Sequence, residues 1–218
     1  MKKSTGRRRP RRKYVSALRS EAADATKARV LGAARTLFVR SGIDRVTIAQ
    51  IAERAGVAVS TVYGLYKSKE GILRALMRAA LFGPHFEAAM AKLAGVSDPA
   101  EQIALTAEVA RAVYEGESAE LGLLRGASAF SPALRKLELE FERTRLEMQE
   151  ARVRLLFAQR KQRPGLSLDE ARRVLWMYTS RDVYRMLVHE GGWTPERYQA
   201  WLAETLLGAL VADRFQRR

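Results

Sequence analysis

Beyond the first two dozen residues, apolar positions recur at spacings of three and four, and stretches that alternate apolar with polar are hard to find. That period belongs to amphipathic helices and not to half-buried strands. It predicts an all-α chain with helices over about residues 26–41, 48–54, 59–65, 69–82, 85–94, 99–115, 119–128, 132–161, 168–190 and 195–215. Prolines sharpen several boundaries. Asp98-Pro99, Ser131-Pro132 and Thr194-Pro195 each set an oxygen-bearing cap before a residue that has no amide to leave unsatisfied, which is how a helix starts. Gly83-Pro84 and Pro164-Gly165 read as breaks, and Thr47/Gln50 and Ser167/Glu170 have the spacing of capping boxes.

Within 26–82, Val30, Ala33, Ala34, Leu37 and Phe38 give the first helix one buried face, and Gly42 is placed to end it at positive φ. The second helix buries Ile48, Ile51, Ala52 and Ala55. Gly56 supplies a tight turn, after which Val57 and Val62 pin the third helix. Ala52, Gly56 and Val62 have the helix-turn-helix spacing, one that an αα-hairpin in a protein core shares.

The run Thr47-Ile-Ala-Gln-Ile-Ala-Glu-Arg-Ala-Gly-Val-Ala-Val-Ser-Thr-Val-Tyr63-Gly-Leu-Tyr66-Lys-Ser-Lys69-Glu-Gly-Ile-Leu73 resembles the DNA-binding segment of the TetR family, and the match extends from about Val30 to Leu76 without a gap. The resemblance implies that the third helix enters the major groove of a palindromic operator, that Tyr63 and Lys69 contact phosphates, and that Thr47 is placed likewise. Val59, Ser60 and Thr61 are then the expected base readers, with Ala49 as a contact from the second helix. Ser68 is expected to cap the fourth helix, adding a partial positive charge at the same backbone. Tyr66 reads as a core aromatic. Ala58 stands where the family often has a capping serine, Leu65 where it often has histidine or tyrosine, and Gly64 weakens the third helix by about 1 kcal/mol relative to alanine.

Farther along, Leu134, Leu137, Phe141, Thr144, Met148, Ala151, Leu155 and Ala158 alternate by three and four and are expected to face the core, with Glu138, Glu142, Arg145 and Arg152 on a solvated face. The helix at 168–190 is apolar on two sides, Leu168, Ala171, Leu175 and Tyr178 on one and Trp176, Val183 and Leu187 on another. The last helix repeats the pattern, with Tyr198, Trp201 and Thr205 beside Leu202, Leu206, Ala209 and Leu210. Two such helices need further partners, so a homodimer is expected through Leu202, Leu206, Gly208 and Ala209, as the final two helices pair in the family. The resemblance also implies a ligand cavity, with Leu124, Phe130, Phe141, Met148 and Trp176 expected in its wall.

Charge adds a polyanionic partner to this picture. The chain carries +15, and residues 1 to 20 hold nine of its 39 Lys and Arg and none of its 24 Asp and Glu. A basic, disordered arm is expected over 1–22, a helix-turn-helix domain over 23–82, and a helical effector-binding and dimerisation domain over 83–218. With no cysteine, there are no disulfides, zinc-thiolate clusters or thiol nucleophiles. His85 and His189 lie far apart, and no Gly-rich phosphate loop is present. No metal, cofactor or enzymatic activity is therefore expected. Without a membrane-length apolar run or a secretory signal, the expected location is the cytoplasm. The reading is a transcriptional regulator, a repressor released by a small apolar or amphipathic effector. Its rivals are a DNA-binding protein controlled by a protein partner or acting architecturally, and a carboxylate-based enzyme on nucleic acid.

Overall fold

The computed structural model describes residues 11–115 and 132–215, without the side chains of residues 11–20, 80, 133, 134 and 214. Ten helices are described: α1 (Arg11–Ser41), α2 (Ile48–Ala55), α3 (Val59–Tyr66), α4 (Lys69–Leu81), α5 (Pro84–Ala94), α6 (Pro99–Glu115), α7 (Pro132–Ala158), α8 (Leu168–Tyr178), α9 (Arg181–Tyr184, widening into a π-helical turn over Arg185–Glu190) and α10 (Pro195–Leu210). A 3-10 turn, Asp213–Phe215, follows. The one strand-like pairing among the described residues is an antiparallel bridge between Gln162 and Val211. There Arg163 donates its amide to Leu210 and Ala212 to Lys161, which ties the chain after α7 to the end of α10.

The capping chemistry accounts for most boundaries. Thr47 Oγ1 accepts the Gln50 amide while Gln50 Oε1 accepts the Thr47 amide, and Ser167 with Glu170 does the same for α8. Thr194 Oγ1 accepts the Arg197 amide at the start of α10. Gly42 and Gly56 sit at φ 75° and 63°, the left-handed conformation that a turn out of a helix uses.

Three boundaries differ from expectation. Helix α1 begins at Arg11, so residues 11–22 are helical, not part of a disordered arm; residues 1–10 lie outside the described residues. No proline or glycine interrupts the stretch from 11 to 31, and Ala, Leu and Arg sustain it by propensity. Nearly every side chain from 21 to 29 is exposed, so that part of the helix carries no core-facing stripe for periodicity to detect. The helix expected over 168–190 breaks at Thr179-Ser180, where the Ser180 hydroxyl accepts the Val183 amide and starts α9. Helix α10 stops at Leu210 where a helix to 215 was expected. The helix expected at 119–128 lies outside the described residues.

The chain forms two compact units, 1–76 and 77–218. In the first, Val30, Ala34, Phe38, Ile51, Ala52, Val62, Ile72 and Leu73 close a small core of α1 to α4. In the second, α6 and α10 are joined by Ile103, Ala107, Leu202 and Leu206, with Val153, Leu156 and Leu175 from α7 and α8. Tyr198 is the largest fully buried side chain, its ring set edge-on to Tyr184 at 4.8 Å. Burial raises its phenol far above the ordinary value. Among the described residues, no helix is long and apolar enough to cross a membrane.

Candidate nucleic-acid interface and ligand cavity

Helix α3 turns Val62 wholly inward, and that fixes which side faces out. Val59, Ser60, Tyr63, Gly64 and Lys67 are exposed at helical spacing, with Val59 at 42% and Tyr63 at 50%, while Thr61 is half-buried. An aromatic ring and a valine this open on an eight-residue helix are not serving the subunit's own core. Thr47 and Ala49 are exposed at the start of α2. Tyr66 is half-buried and its hydroxyl reaches the Lys27 carbonyl at 3.4 Å, in line with its reading as a structural aromatic.

The link from α3 to α4 is tighter than the sequence indicates. Lys67 has φ 66° and ψ −36°, and the Ser68 amide donates to the Tyr66 carbonyl at 2.8 Å. This is a γ-turn of the strained, positive-φ kind. Gly71, one turn on, lets the same Tyr66 carbonyl lie against α4: a Cβ at Gly71 would stand 1.9 Å from that oxygen. Ser68 caps the helix by accepting the Gly71 amide at 3.2 Å. Lys69 is half-buried, and its ammonium donates to the Ile43 and Asp44 carbonyls at 3.0 and 3.3 Å, clasping α4 to the turn before α2. Two of its three protons are thus engaged inside the unit, a structural role that the sequence did not reveal.

In the second unit, a cavity of about 60 Å³ lies among the end of α4 and α5, α6 and α7. Leu81, Phe82, Phe86, Val109, Phe141 and Met148 make its apolar wall, in which Phe82 packs edge-on to Phe86 at 5.0 Å. Its polar residues converge on Thr179, the break between α8 and α9. The Thr179 hydroxyl accepts from Arg145 Nη1 and Gln149 Nε2, both at 2.8 Å, and donates to the Leu175 carbonyl at 2.7 Å. The Thr179 carbonyl accepts from the Tyr114 hydroxyl at 2.8 Å. Arg145 is further paired with Glu142. Arg152 also lines the cavity at 5% exposure, and burial lowers its guanidinium to about 10.

Of the expected wall residues, Phe141 and Met148 line this cavity, and Leu124 and Phe130 lie outside the described residues. Trp176 does not line it. It is 37% exposed on the outside of α8, with the Arg145 guanidinium 5.2 Å from its ring centre. Leu202 and Leu206, expected at a dimer interface, are wholly buried in the subunit's own core; Gly208 and Ala209 are half-exposed.

Arg152 and Arg145 were expected on a solvated face, and the reason they are not is geometric. A strict alternation of three and four repeats every 3.5 residues, whereas a straight helix turns once per 3.6, so the stripe drifts by about 20° per heptad. Over α7 that drift carries Ala151 and Ala158 out to solvent and brings Gln149, Arg152, Val153 and Leu156 in.

The profile of the bacterial regulatory proteins of the tetR family matches residues 30–76. Among solved structures, the chain is similar to NalD, the secondary repressor of the MexAB-OprM multidrug efflux pump in Pseudomonas aeruginosa, with 21% identity over 88% of this chain and 99% of that one and a TM-score of 0.65. It is similar to SmeT in its complex with triclosan at 22% identity, 87% and 93% coverage and a TM-score of 0.64. The transcriptional regulator FadR from Bacillus subtilis, in complex with stearoyl-CoA, gives 19% identity, 82% and 96% coverage and a TM-score of 0.63. At these identities the likeness is one of fold. No curated protein sequence matches the chain.

Proposed function

We propose that this chain, whose residues 30–76 match the tetR family of bacterial regulatory proteins, is a homodimeric repressor of that family that binds a palindromic operator through α3 and releases it when a small molecule fills the cavity of the second unit. The observation that carries the reading is the outward stripe of α3, in which exposed Val59, Ser60 and Tyr63 sit beside the capped starts of α2 and α4. Helix N-termini present unpaired amides and a partial positive charge, which suits phosphate. Val59, Ser60 and Thr61 read base edges, with Ala49 beside them; Tyr63, Thr47 and the remaining proton of Lys69 hold the backbone.

The effector half of the reading is supported by a cavity with an apolar wall and a small polar cluster, the usual build of a small-molecule site. Solved relatives hold triclosan in one case and stearoyl-CoA in another. At about 60 Å³ the cavity is below the roughly 300 Å³ of a typical ligand site, so a ligand has to open it. That opening is the conformational change available to weaken operator binding, provided the ligand prefers the opened state. With Leu202 and Leu206 committed to the core, the dimer contact falls to the half-exposed Gly208 of α10, where a Cβ would meet nothing within 4 Å. The test is a binding titration on operator and random DNA across a salt series. Thr61→Ala is expected to narrow the operator's advantage and leave the salt slope unchanged, because it removes a base contact and no charge. Equal affinity of the unaltered protein for both DNAs would overturn the reading.

A further inference from the structure

One wall of the cavity carries a charge that nothing among the described residues neutralises. Arg152 is 5% exposed, and its hydrogen bonding is confined to a single contact from Nη2 to the Met90 sulfur at 3.3 Å. A thioether is a weak and uncharged acceptor. Three carboxylates of the surrounding helices are engaged elsewhere, Glu108 with Lys92, Glu142 with Arg145, and Glu150 with Arg154 and Arg172, while Glu87, Glu101 and Glu147 are exposed to solvent. Glu142 is also about 15 Å away along α7, at 1.5 Å of rise per residue. Burial brings the Arg152 guanidinium to about 10, which leaves it protonated at neutral pH. Burying a cation without a partner is costly. Three residues away, Gln149 Oε1 is buried with no donor, so this polar patch is incomplete twice over.

We propose that the effector is an amphipathic acid, whose carboxylate pairs with Arg152 and whose apolar body lies along Phe82, Phe86, Phe141 and Met148. This rests on the reading of the cavity as the effector site. A guanidinium donates to both carboxylate oxygens in a planar fork, so the acid supplies an acceptor of opposite charge at the point where the arginine is already desolvated. A neutral molecule of the same shape leaves the arginine unmatched, and a cation is repelled by it.

The experiment is calorimetric titration of the full-length protein with octanoate, 1-octanol and octyltrimethylammonium, repeated with Arg152→Met and Arg152→Gln. Octanoate is expected to bind the unaltered protein at least about 30-fold more tightly than octanol, the scale of losing one partner of a buried charged pair. Both variants should lose that preference. Arg152→Met should also melt higher than the unaltered protein without ligand, because it removes an unpaired buried charge, whereas an arginine that merely holds the fold would give a lower melting temperature. Equal binding of octanoate and octanol, or a preference that survives in both variants, overturns the acid assignment and leaves the effector cavity standing. Failure of all three probes to bind overturns both.

Discussion

Two glycines seven residues apart should respond to alanine with opposite signs. At Gly71 a methyl group would stand 1.9 Å from the Tyr66 carbonyl oxygen and 3.0 Å from its carbon. Relief requires a backbone shift of more than about 1 Å, since contact distances lie well above 3 Å. The oxygen that must move already accepts the Ser68 amide in the γ-turn at Lys67. Overpacking of this kind costs roughly 1–3 kcal/mol, against a gain of about 1 kcal/mol from replacing a helical glycine. The net expectation for Gly71→Ala is a loss of up to about 2 kcal/mol, a fall of up to roughly 16 °C for a unit of this size. Gly64, exposed in α3, has no atom within 4 Å of its would-be Cβ, so Gly64→Ala should stabilise by up to about 1 kcal/mol. Circular dichroism melts, with amide exchange to localise the change to the first unit, read both. If Gly71→Ala melts at or above the unaltered protein, the close approach of Tyr66 to α4 does not govern this turn, and the reasoning fails.

Other expectations concern the second unit. Thr179→Val removes the shared acceptor of Arg145 and Gln149; Arg145 keeps Glu142 and the Trp176 carbonyl, but the Gln149 amide is stranded, so urea melts should show a loss of roughly 1–3 kcal/mol that Thr179→Ser largely avoids. Asp98 is held below its ordinary value of 3.8 by hydrogen bonding and pairing with Lys161. Its contribution to stability is therefore full above that value and disappears as pH falls through the lower folded-state value, so Asp98→Asn should be less stable than the unaltered protein at neutral pH and converge with it in strong acid. Salt should shrink the gap, because the pair is partly exposed. Gly208→Arg, at a half-exposed position of α10 with open space at its Cβ, should yield monomers by light scattering; dimers of unchanged affinity would move the interface elsewhere.

How much of this was legible in the sequence depended on whether the signal was local. Thr47 with Gln50, Gly42 and Gly56 each act through a neighbour a few residues away, and they mark the helix-turn-helix where it is found. Glu21 to Ala25 lie in helix with their side chains exposed, so no apolar periodicity marks them. Gly71 is required by an oxygen five residues back across a turn, a contact with no periodicity. Arg152 was hidden by the drift of about 20° per heptad that accumulates when a heptad pattern is laid on a straight helix. Leu202 and Leu206 carry the same residue type as an interface would; only the packing of α6 on α10 decides that they are core.

The central claim is that α3 reads an operator. Ser60 is exposed at the first turn of that helix, and a glutamate there costs the fold little, since helix N-termini favour acidic residues. Against a polyanionic groove the same charge is repelled. Footprinting on the DNA flanking the chain's own gene should show a two-fold symmetric protected site with the unaltered protein and none with Ser60→Glu at equal concentration and dimer content. A Ser60→Glu protein that protects the same site with the same affinity would contradict the account.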